Sequence, residues 1–210
     1  MEMPEGRLTK QVFLWDYQLR RNNWSYGMRR LYRELDIEHV FNDLLLYSKE
    51  RAWATLHDNH CSKWATLLHT TPKLRTYCLF KQIYCIEPYV SSRLTRKLIS
   101  ILARFRTGTL PLEIETGRWR SIPECQRICK LCNAQSVESE MHFLLHCSAY
   151  VHFRTIYFEY VQQCNNTFNS LDDAEKLKVL MGAQFEAGTA RLMADMYRCR
   201  QGSLFQNVNR

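Results

Sequence analysis

Long apolar runs and flexible spacers are both missing from this sequence. No stretch approaches the roughly 18 consecutive apolar residues that mark a transmembrane helix, and Met1–Glu5 lacks the basic and apolar regions of a signal peptide. The sequence also contains no internal repeat and no low-complexity tract. We therefore expect an intracellular protein, nuclear or cytoplasmic, that does not engage a membrane.

Motifs that mark several common enzyme classes are absent too. The sequence has no glycine-rich phosphate loop and no Gly-x-Ser-x-Gly nucleophile turn. No pattern indicates a small-molecule substrate, and none indicates an oligomeric state.

The composition is that of a folded, basic protein. Apolar residues make up 46% of the 210 positions and aromatic residues 12%, which suits one domain or two small domains that share a core. Lysine and arginine number 29 against 21 acidic residues, for a formal net charge of +8. The nine cysteines are an odd number in a chain too large to need a disulfide framework, so we expect free thiols and a few metal ligands.

One stretch near residue 130 is rich in cysteine and histidine. A C-x2-C pair can supply two corners of a zinc tetrahedron, and a histidine with one further ligand can supply the other two. The alternative is a pair of buried thiols beside a hydrogen-bonded histidine, but ligand-type residues that return within fifteen positions favour zinc. The candidates are Cys129, Cys132, His142, His146 and Cys147.

The residue pattern leaves the fourth ligand open between two neighbours. If residues 139–150 form an α-helix, His142 and His146 lie on one face at i and i+4, and Cys147 points away from that face. Periodicity alone therefore favours His146.

Several short motifs, taken in order, resemble a known family. They are TYCLFK at 76–81, EPY at 87–89, LARFRTGTLPLEIETGR at 102–118, the C-x2-C pair and ESEMHFLLHC at 138–147. Together they resemble the C-terminal end of polyproteins from non-long-terminal-repeat retrotransposons, in which a Cys-Cys-His-Cys zinc motif follows the reverse transcriptase. The resemblance covers residues 74–154 well and the flanks loosely.

The resemblance implies a ligand set. In that family the ligands match Cys129, Cys132, His142 and Cys147, and the residue at the position of His146 is not a ligand. The resemblance thus predicts a zinc site of three cysteines and one histidine, with His146 as the alternative fourth ligand.

The catalytic residues of that family have no counterpart here. Its polymerases need a Tyr-x-Asp-Asp turn to hold metal ions, whereas the only Asp-Asp pair, Asp172-Asp173, opens a predicted helix. The nucleases found beside some of these zinc motifs use a Pro-Asp dipeptide, which the sequence lacks. We therefore expect a protein that is not an enzyme.

Positive charge is concentrated just before the zinc motif. Between residues 93 and 130 nine basic residues stand against three acidic ones, so this segment carries +6 of the total +8. A helix predicted to begin after Ser91 or Ser92 would place its cations on one flank, where they could contact the phosphates of RNA or single-stranded DNA. An ordinary solvated surface is the alternative. The candidate nucleic-acid-binding residues are Arg93, Lys97, Arg104, Arg118, Arg120, Arg127 and Lys130.

Hydrophobic periodicity predicts a mainly α fold. We expect a multi-helix domain with one irregular zinc-knuckle segment and little or no β structure. Three regions are expected to share one core: an N-terminal helical region at 1–90, the basic helix, loop and zinc knuckle at 91–165, and a C-terminal helical pair at 166–210. The last ten residues are predicted to be frayed.

The segment 107–123 is predicted to be an extended loop, because Gly108, Pro111 and Gly117 punctuate it. Within it the alternating LEIET predicts one short strand with its two glutamates on one face. Trp119 is expected to be buried over the knuckle, with stacking on an unpaired base as the alternative.

These observations predict a non-catalytic zinc-binding module that binds nucleic acid, similar to the C-terminal part of a retrotransposon reverse transcriptase. The alternative is a structural or protein-interaction domain, or a decayed element fragment, in which zinc only stabilises the fold.

Overall fold

α-Helices make up most of the chain. The computed structural model describes residues 8–19, 23–39 and 49–208, and within these ranges the only β pairing is an isolated antiparallel bridge between Ile128 and Val137. The predicted mainly α fold is confirmed. The α-helices are α1 (Leu8–Leu19), α2 (Trp24–Glu34), α3 (Lys49–Thr70), α4 (Tyr77–Phe80), α5 (Arg96–Arg106), α6 (Glu113–Trp119), α7 (Val151–Cys164), α8 (Asp173–Leu180) and α9 (Glu186–Val208).

Shorter helical turns lie between these helices. One, His142–His146, is a π-helix. The others are 3-10 turns at Pro72–Leu74, Pro88–Ser91, Glu124–Gln126, Ser148–Tyr150 and Phe168–Ser170. None of the described helices combines the length and apolarity needed to cross a membrane.

The chain divides into two compact units, Met1–Trp64 and Ala65–Arg210. In the first unit Asn23 ties α1 to α2. Its side-chain oxygen accepts from the Tyr26 amide at 3.0 Å, which caps α2, and its Nδ2 donates to Asp16 at 2.9 Å. Asn23 is therefore the N-cap of α2.

The described residues of the first unit form one small buried apolar cluster. It centres on Leu35 and Ile37, while three tryptophans of the described part, Trp15, Trp24 and Trp53, stay largely exposed.

The second unit contains the main core. Helix α9 packs against α5 and α7, and α4 packs against α8. The aromatic rings of Phe143 and Tyr150 meet edge to face at 5.2 Å in the middle of this core. The largest completely buried side chains are Tyr150, Phe105, Phe143, Phe168, Leu102, Leu110, Leu112, Leu144, Leu177, Leu180, Met193 and Met196.

The segment predicted as an extended loop with a short strand contains α6 instead. Leu112 caps this helix without a side-chain hydrogen bond, and the helix buries Glu113, Ile114, Glu115 and Gly117. The alternation of Leu, Glu, Ile and Glu predicted a short strand with both glutamates on one face. That inference was wrong because both carboxylates are buried and paired with cations.

The start of α5 and the end of α9 differ from the predicted positions. Helix α5 begins at Arg96 after an N-cap at Thr95, so Arg93 lies before the helix and not on it. The preceding serines belong to a 3-10 turn and its cap. The C-terminal residues predicted to be frayed continue α9 as far as Val208; the two residues beyond lie outside the described part.

Gly108 makes the bend between α5 and α6. Its φ of +63° is in the left-handed region, and a Cβ there would lie 2.3 Å from the carbonyl oxygen of Lys73. Both facts require glycine. The bend directs the chain into α6 and from there into the cysteine-rich hairpin.

Candidate metal centre

A short hairpin presents the first two cysteines. The amide of Cys129 donates to the carbonyl of Ser136 at 2.9 Å, and the amide of Glu138 donates to the carbonyl of Arg127 at 2.9 Å. At the tip, Gln135 adopts a left-handed φ of 50°, which lets the chain reverse. Cys129 and Cys132 are thereby held on the same side of a tight loop.

Arg127 attaches this hairpin to α6. Its Nε donates to the Ile122 carbonyl at 2.8 Å and its Nη1 to the Ile114 carbonyl at 2.9 Å. Gly117 makes room for the arginine stem, because a Cβ there would lie 2.6 Å from Arg127 Cγ. A residue predicted to contact phosphate is therefore a structural clamp.

Glu138, a residue that the sequence pattern did not single out, closes the other side of the hairpin. Its buried carboxylate accepts from the Glu113 amide at 2.7 Å, which caps α6 from a distance. The same carboxylate accepts two hydrogen bonds from Arg200 of α9, at 2.8 and 2.7 Å. The hairpin is thus fixed to two helices of the core, and its ligands need little ordering to bind an ion.

A π turn presents the other two ligands. Over His142–His146 the backbone is wound more widely than an α-helix, and the amide of Cys147 donates to the His142 carbonyl at 2.7 Å. This is an i to i+5 hydrogen bond, the kind that closes a π turn. It brings Cys147 back beside His142, which an α-helix would not do.

Four side chains converge on one point. The ligand atoms of Cys129, Cys132, His142 and Cys147 all lie within 4.8 Å of one another, and all but the half-buried Cys132 are buried. In the described part of the chain no other such group was found. The four residues implied by the resemblance therefore form a cluster that could hold a metal ion.

The distances within the cluster resemble the edges of a coordination tetrahedron. The sulfurs of Cys129 and Cys147 are 3.8 Å apart, and Cys132 Sγ lies 3.3 Å from His142 Nε2. For metal–sulfur bonds of about 2.3 Å and metal–nitrogen bonds of about 2.0 Å, a tetrahedron has edges of about 3.8 Å and about 3.5 Å. The four cysteine and histidine atoms are therefore nearly in place without rearrangement, and all the cysteines involved are free thiols.

The protonation of the cluster follows from its burial. Burial raises the pKa of the Cys129 thiol, against the opposing effect of the backbone amides of Leu131 and Cys132, and raises the pKa of Cys147 to about 12. Burial lowers the pKa of His142, so its imidazole is neutral and can offer a lone pair. A metal must therefore displace thiol protons, which makes binding weaker in acid.

His146, the alternative fourth ligand, lies outside the cluster. Its ring is exposed, and Nε2 lies 2.6 Å from the carboxylate of Asp173 at the start of α8. The i, i+4 argument for His146 was wrong because it assumed an α-helix where the chain forms a π turn.

Cations that follow α5 form ion pairs with glutamates of α6. Arg118 binds Glu115 at 2.7 Å, Arg120 binds Glu113, and Lys130 binds the same Glu113 at 2.8 Å. These pairs lower the pKa of both carboxylates, that of Glu115 to about 2, where the hydrogen bond from Arg118 is the largest cause. The two glutamates therefore serve as partners for cations and not as metal ligands.

The remaining predicted cations lie before and along α5. Arg93, Lys97 and Arg104 are exposed, as is Arg96 at the first position of the helix. Within the described part of the chain none of these four side chains has an acidic partner, and no acidic residue occupies the first turn of α5.

Trp119 does not cover the hairpin as predicted. Its indole is 62% exposed, and Nε1 donates to Glu115 at 3.0 Å. The exposed ring remains available to a ligand.

Comparison of the chain with protein-family models, with curated proteins and with solved structures finds no significant match.

Proposed function

We propose that the cluster of Cys129, Cys132, His142 and Cys147 binds one zinc ion. Three thiolates and an imidazole at tetrahedral spacing form a donor set that binds zinc in preference to harder cations such as Mg²⁺. Four protein ligands leave no position at the ion for a water or substrate, so the ion would be structural and not catalytic. The observation that carries this proposal is the 3.8 Å distance between the two buried sulfurs.

Elemental analysis tests the identity of the ion. Protein purified without chelators should contain about one zinc per chain, and cobalt(II) substitution should give the visible spectrum of a tetrahedral thiolate complex. Folded protein that contains no metal would contradict the proposal.

We further propose that the protein binds RNA or single-stranded DNA through phosphate contacts at the α5 cation patch, defined as Arg93, Arg96, Lys97 and Arg104. The observation that carries this proposal is that these four exposed cations have no acidic partner in the described chain. Cations paired internally, such as Arg120 and Lys130, have already lost much of their attraction for an external anion.

The position of the patch on its helix adds support. Arg96 and Lys97 are in the first turn of α5, where the helix dipole is positive and disfavours cations. Thr95 provides no side-chain cap, so amide groups at this end remain available to an acceptor. A phosphate would relieve both effects, as anions at helix N-termini commonly do.

The salt dependence of binding tests this interface. Each phosphate contact contributes about 0.7–0.9 to the slope of log affinity against log salt concentration. Replacing Arg93, Lys97 and Arg104 together by Gln should flatten that slope by about two units and weaken binding to unrelated sequences alike.

A charge-matched variant provides the control. Replacing Lys176, Arg191 and Arg198 of α8 and α9 by Gln removes the same three charges elsewhere on the second unit and should leave most of the slope intact. Equal slopes for the wild type and the α5 triple variant would contradict the phosphate interface.

A protein-interaction domain is the second candidate, and exposed apolar side chains favour it. On α7, Val151, Ile156 and Tyr160 are 56%, 77% and 51% exposed. Zinc binding without any salt-dependent affinity for nucleic acid would favour this candidate. The order of the motifs alone supports a relationship to the retrotransposon family, and we keep that relationship as part of the proposal.

A further inference from the structure

Among its described residues, the second unit contains one buried cation without a carboxylate partner. Lys81, Arg106 and Arg200 are buried and each forms an ion pair with a glutamate. Arg154, in the first turn of α7, is only 6% exposed, and among the described residues no acidic side chain pairs with it. A buried charge without a counter-charge is strongly unfavourable, so its persistence requires an explanation.

Arg154 lies against the metal centre. Its Nη2 donates to the carbonyl oxygen of Cys147 at 2.7 Å, and its buried Nη1 has no hydrogen-bond partner in the described chain. The neighbouring Tyr150, which is completely buried, also has a hydroxyl group without a partner. Two donors next to the cluster are therefore unsatisfied by protein atoms.

Charge counting supplies the missing partner. Three thiolates, a neutral imidazole and a zinc ion carry a net charge of −1. We infer that Arg154 is the counter-ion of this anionic zinc centre and makes the buried site neutral as a whole. The inference rests on the zinc site proposed above and assigns Arg154 a positioning and charge-balancing role.

This role also accounts for the type of the fourth ligand. A centre with two thiolates and two imidazoles would be neutral and would leave Arg154 without a counter-charge.

Two substitutions of Arg154 separate charge from hydrogen bonding. Arg154→Lys keeps the charge, whereas Arg154→Gln keeps a donor for the Cys147 carbonyl and loses the charge. Competition with a chromophoric chelator should show zinc affinity close to wild type for the Lys variant and reduced on the order of 10- to 100-fold for the Gln variant, the range typical of outer partners of metal sites. Arg198→Gln, which removes an exposed charge from α9, should have no effect.

If both Arg154 variants pack poorly, the same substitutions can be compared in a protein that carries a different zinc ligand. Cys132→His converts the half-buried ligand and makes the zinc centre neutral, so Arg154→Gln should cost less affinity there than in the wild-type background. An equal cost in both backgrounds, or equal affinity of the Lys and Gln variants, would overturn the counter-ion role.

The proposed zinc site is tested separately by the wild type. If wild-type protein binds no zinc, both proposals fail. If it binds zinc and the Arg154 effects do not follow charge, only the counter-ion role fails.

Discussion

Two groups of cations precede the cysteine pair of the candidate metal centre in the sequence, and they differ in what surrounds them. The segment 93–106 contains five basic residues and no acidic one, whereas the segment 113–130 contains four basic and three acidic residues. The net charges are therefore +5 and +1, although sequence inspection treats both as one basic stretch.

The difference teaches that an interface cannot be located by counting charges. Arg118, Arg120 and Lys130 neutralise carboxylates that α6 buries, and Arg127 binds backbone carbonyls. The α5 cation patch contributes nothing comparable to the fold. The cations of the segment 113–130 therefore stabilise α6 and the hairpin of the candidate metal centre, whereas the four exposed cations of the α5 cation patch have no acidic partner among the described residues.

Of the changes proposed here, removal of the metal should have the largest effect on the difference between the two groups of cations. Cys129→Ser should lose the ion and with it a contribution on the order of 10 kcal/mol, the range found for structural zinc. Hydrogen exchange should show lost protection at residues 127–142, which contain Cys129, Cys132 and His142, and less change in α5. Cys125→Ser, at an exposed cysteine outside the cluster, is the matched control. Retention of zinc and of exchange protection in Cys129→Ser would contradict the proposed site.

Glu113→Gln should convert paired cations into free ones. It leaves Arg120 and Lys130 without their carboxylate and should cost about 1–3 kcal/mol in the free energy of unfolding, because a buried ionic network is broken. The two released cations, at about 0.7–0.9 each, should steepen the slope of log affinity against log salt concentration by about 1.5 units. Glu124→Gln, at an exposed glutamate, makes the same charge change without releasing them.

The pH dependence of stability provides a second readout for Glu113. Burial opposes ionisation, but Lys130 and Arg120 lower the pKa of this carboxyl below its ordinary value of 4.5. Its stabilisation is therefore present above pH 4.5 and is lost as pH falls below that value. The Gln variant should lack this part of the acid transition; identical transitions in both proteins would contradict the assigned pairing.

His146→Ala should have the smallest effect. The variant loses a half-exposed pair with Asp173, which is worth at most about 1 kcal/mol, and should retain its zinc. Thermal unfolding and elemental analysis measure the two outcomes. Loss of the ion would show that His146 is a metal ligand and that its pairing with Asp173 is not its main role.

Much of the fold could be predicted from periodicity, because most helices bury one apolar stripe. Helix α6 could not. Its buried glutamates give an alternating pattern that is typical of a strand, and two of their partners, Lys73 and Lys130, are far away in the sequence. Local patterns carry no information about such distant ion pairs.

The candidate site was predictable in part. The spacing of Cys129 and Cys132 follows from the needs of a tetrahedral ion, but periodicity chose the wrong partner for His142. Glu138 and Arg154 gave no signal at all, because their importance depends on burial beside groups from other elements. Only the three-dimensional structure shows which charges are left without a partner.

The π turn at His142–His146 also sets a rule for the length of this segment. Four residues separate His142 from Cys147. The wide winding of the π turn brings Cys147, at i+5, back beside His142. Deletion of a single codon in this interval would place histidine and cysteine at i and i+4, which an ordinary α-helix presents on one face. A gene can therefore change the spacing of these two ligands by one residue and keep both, provided that the winding of the helix changes with it.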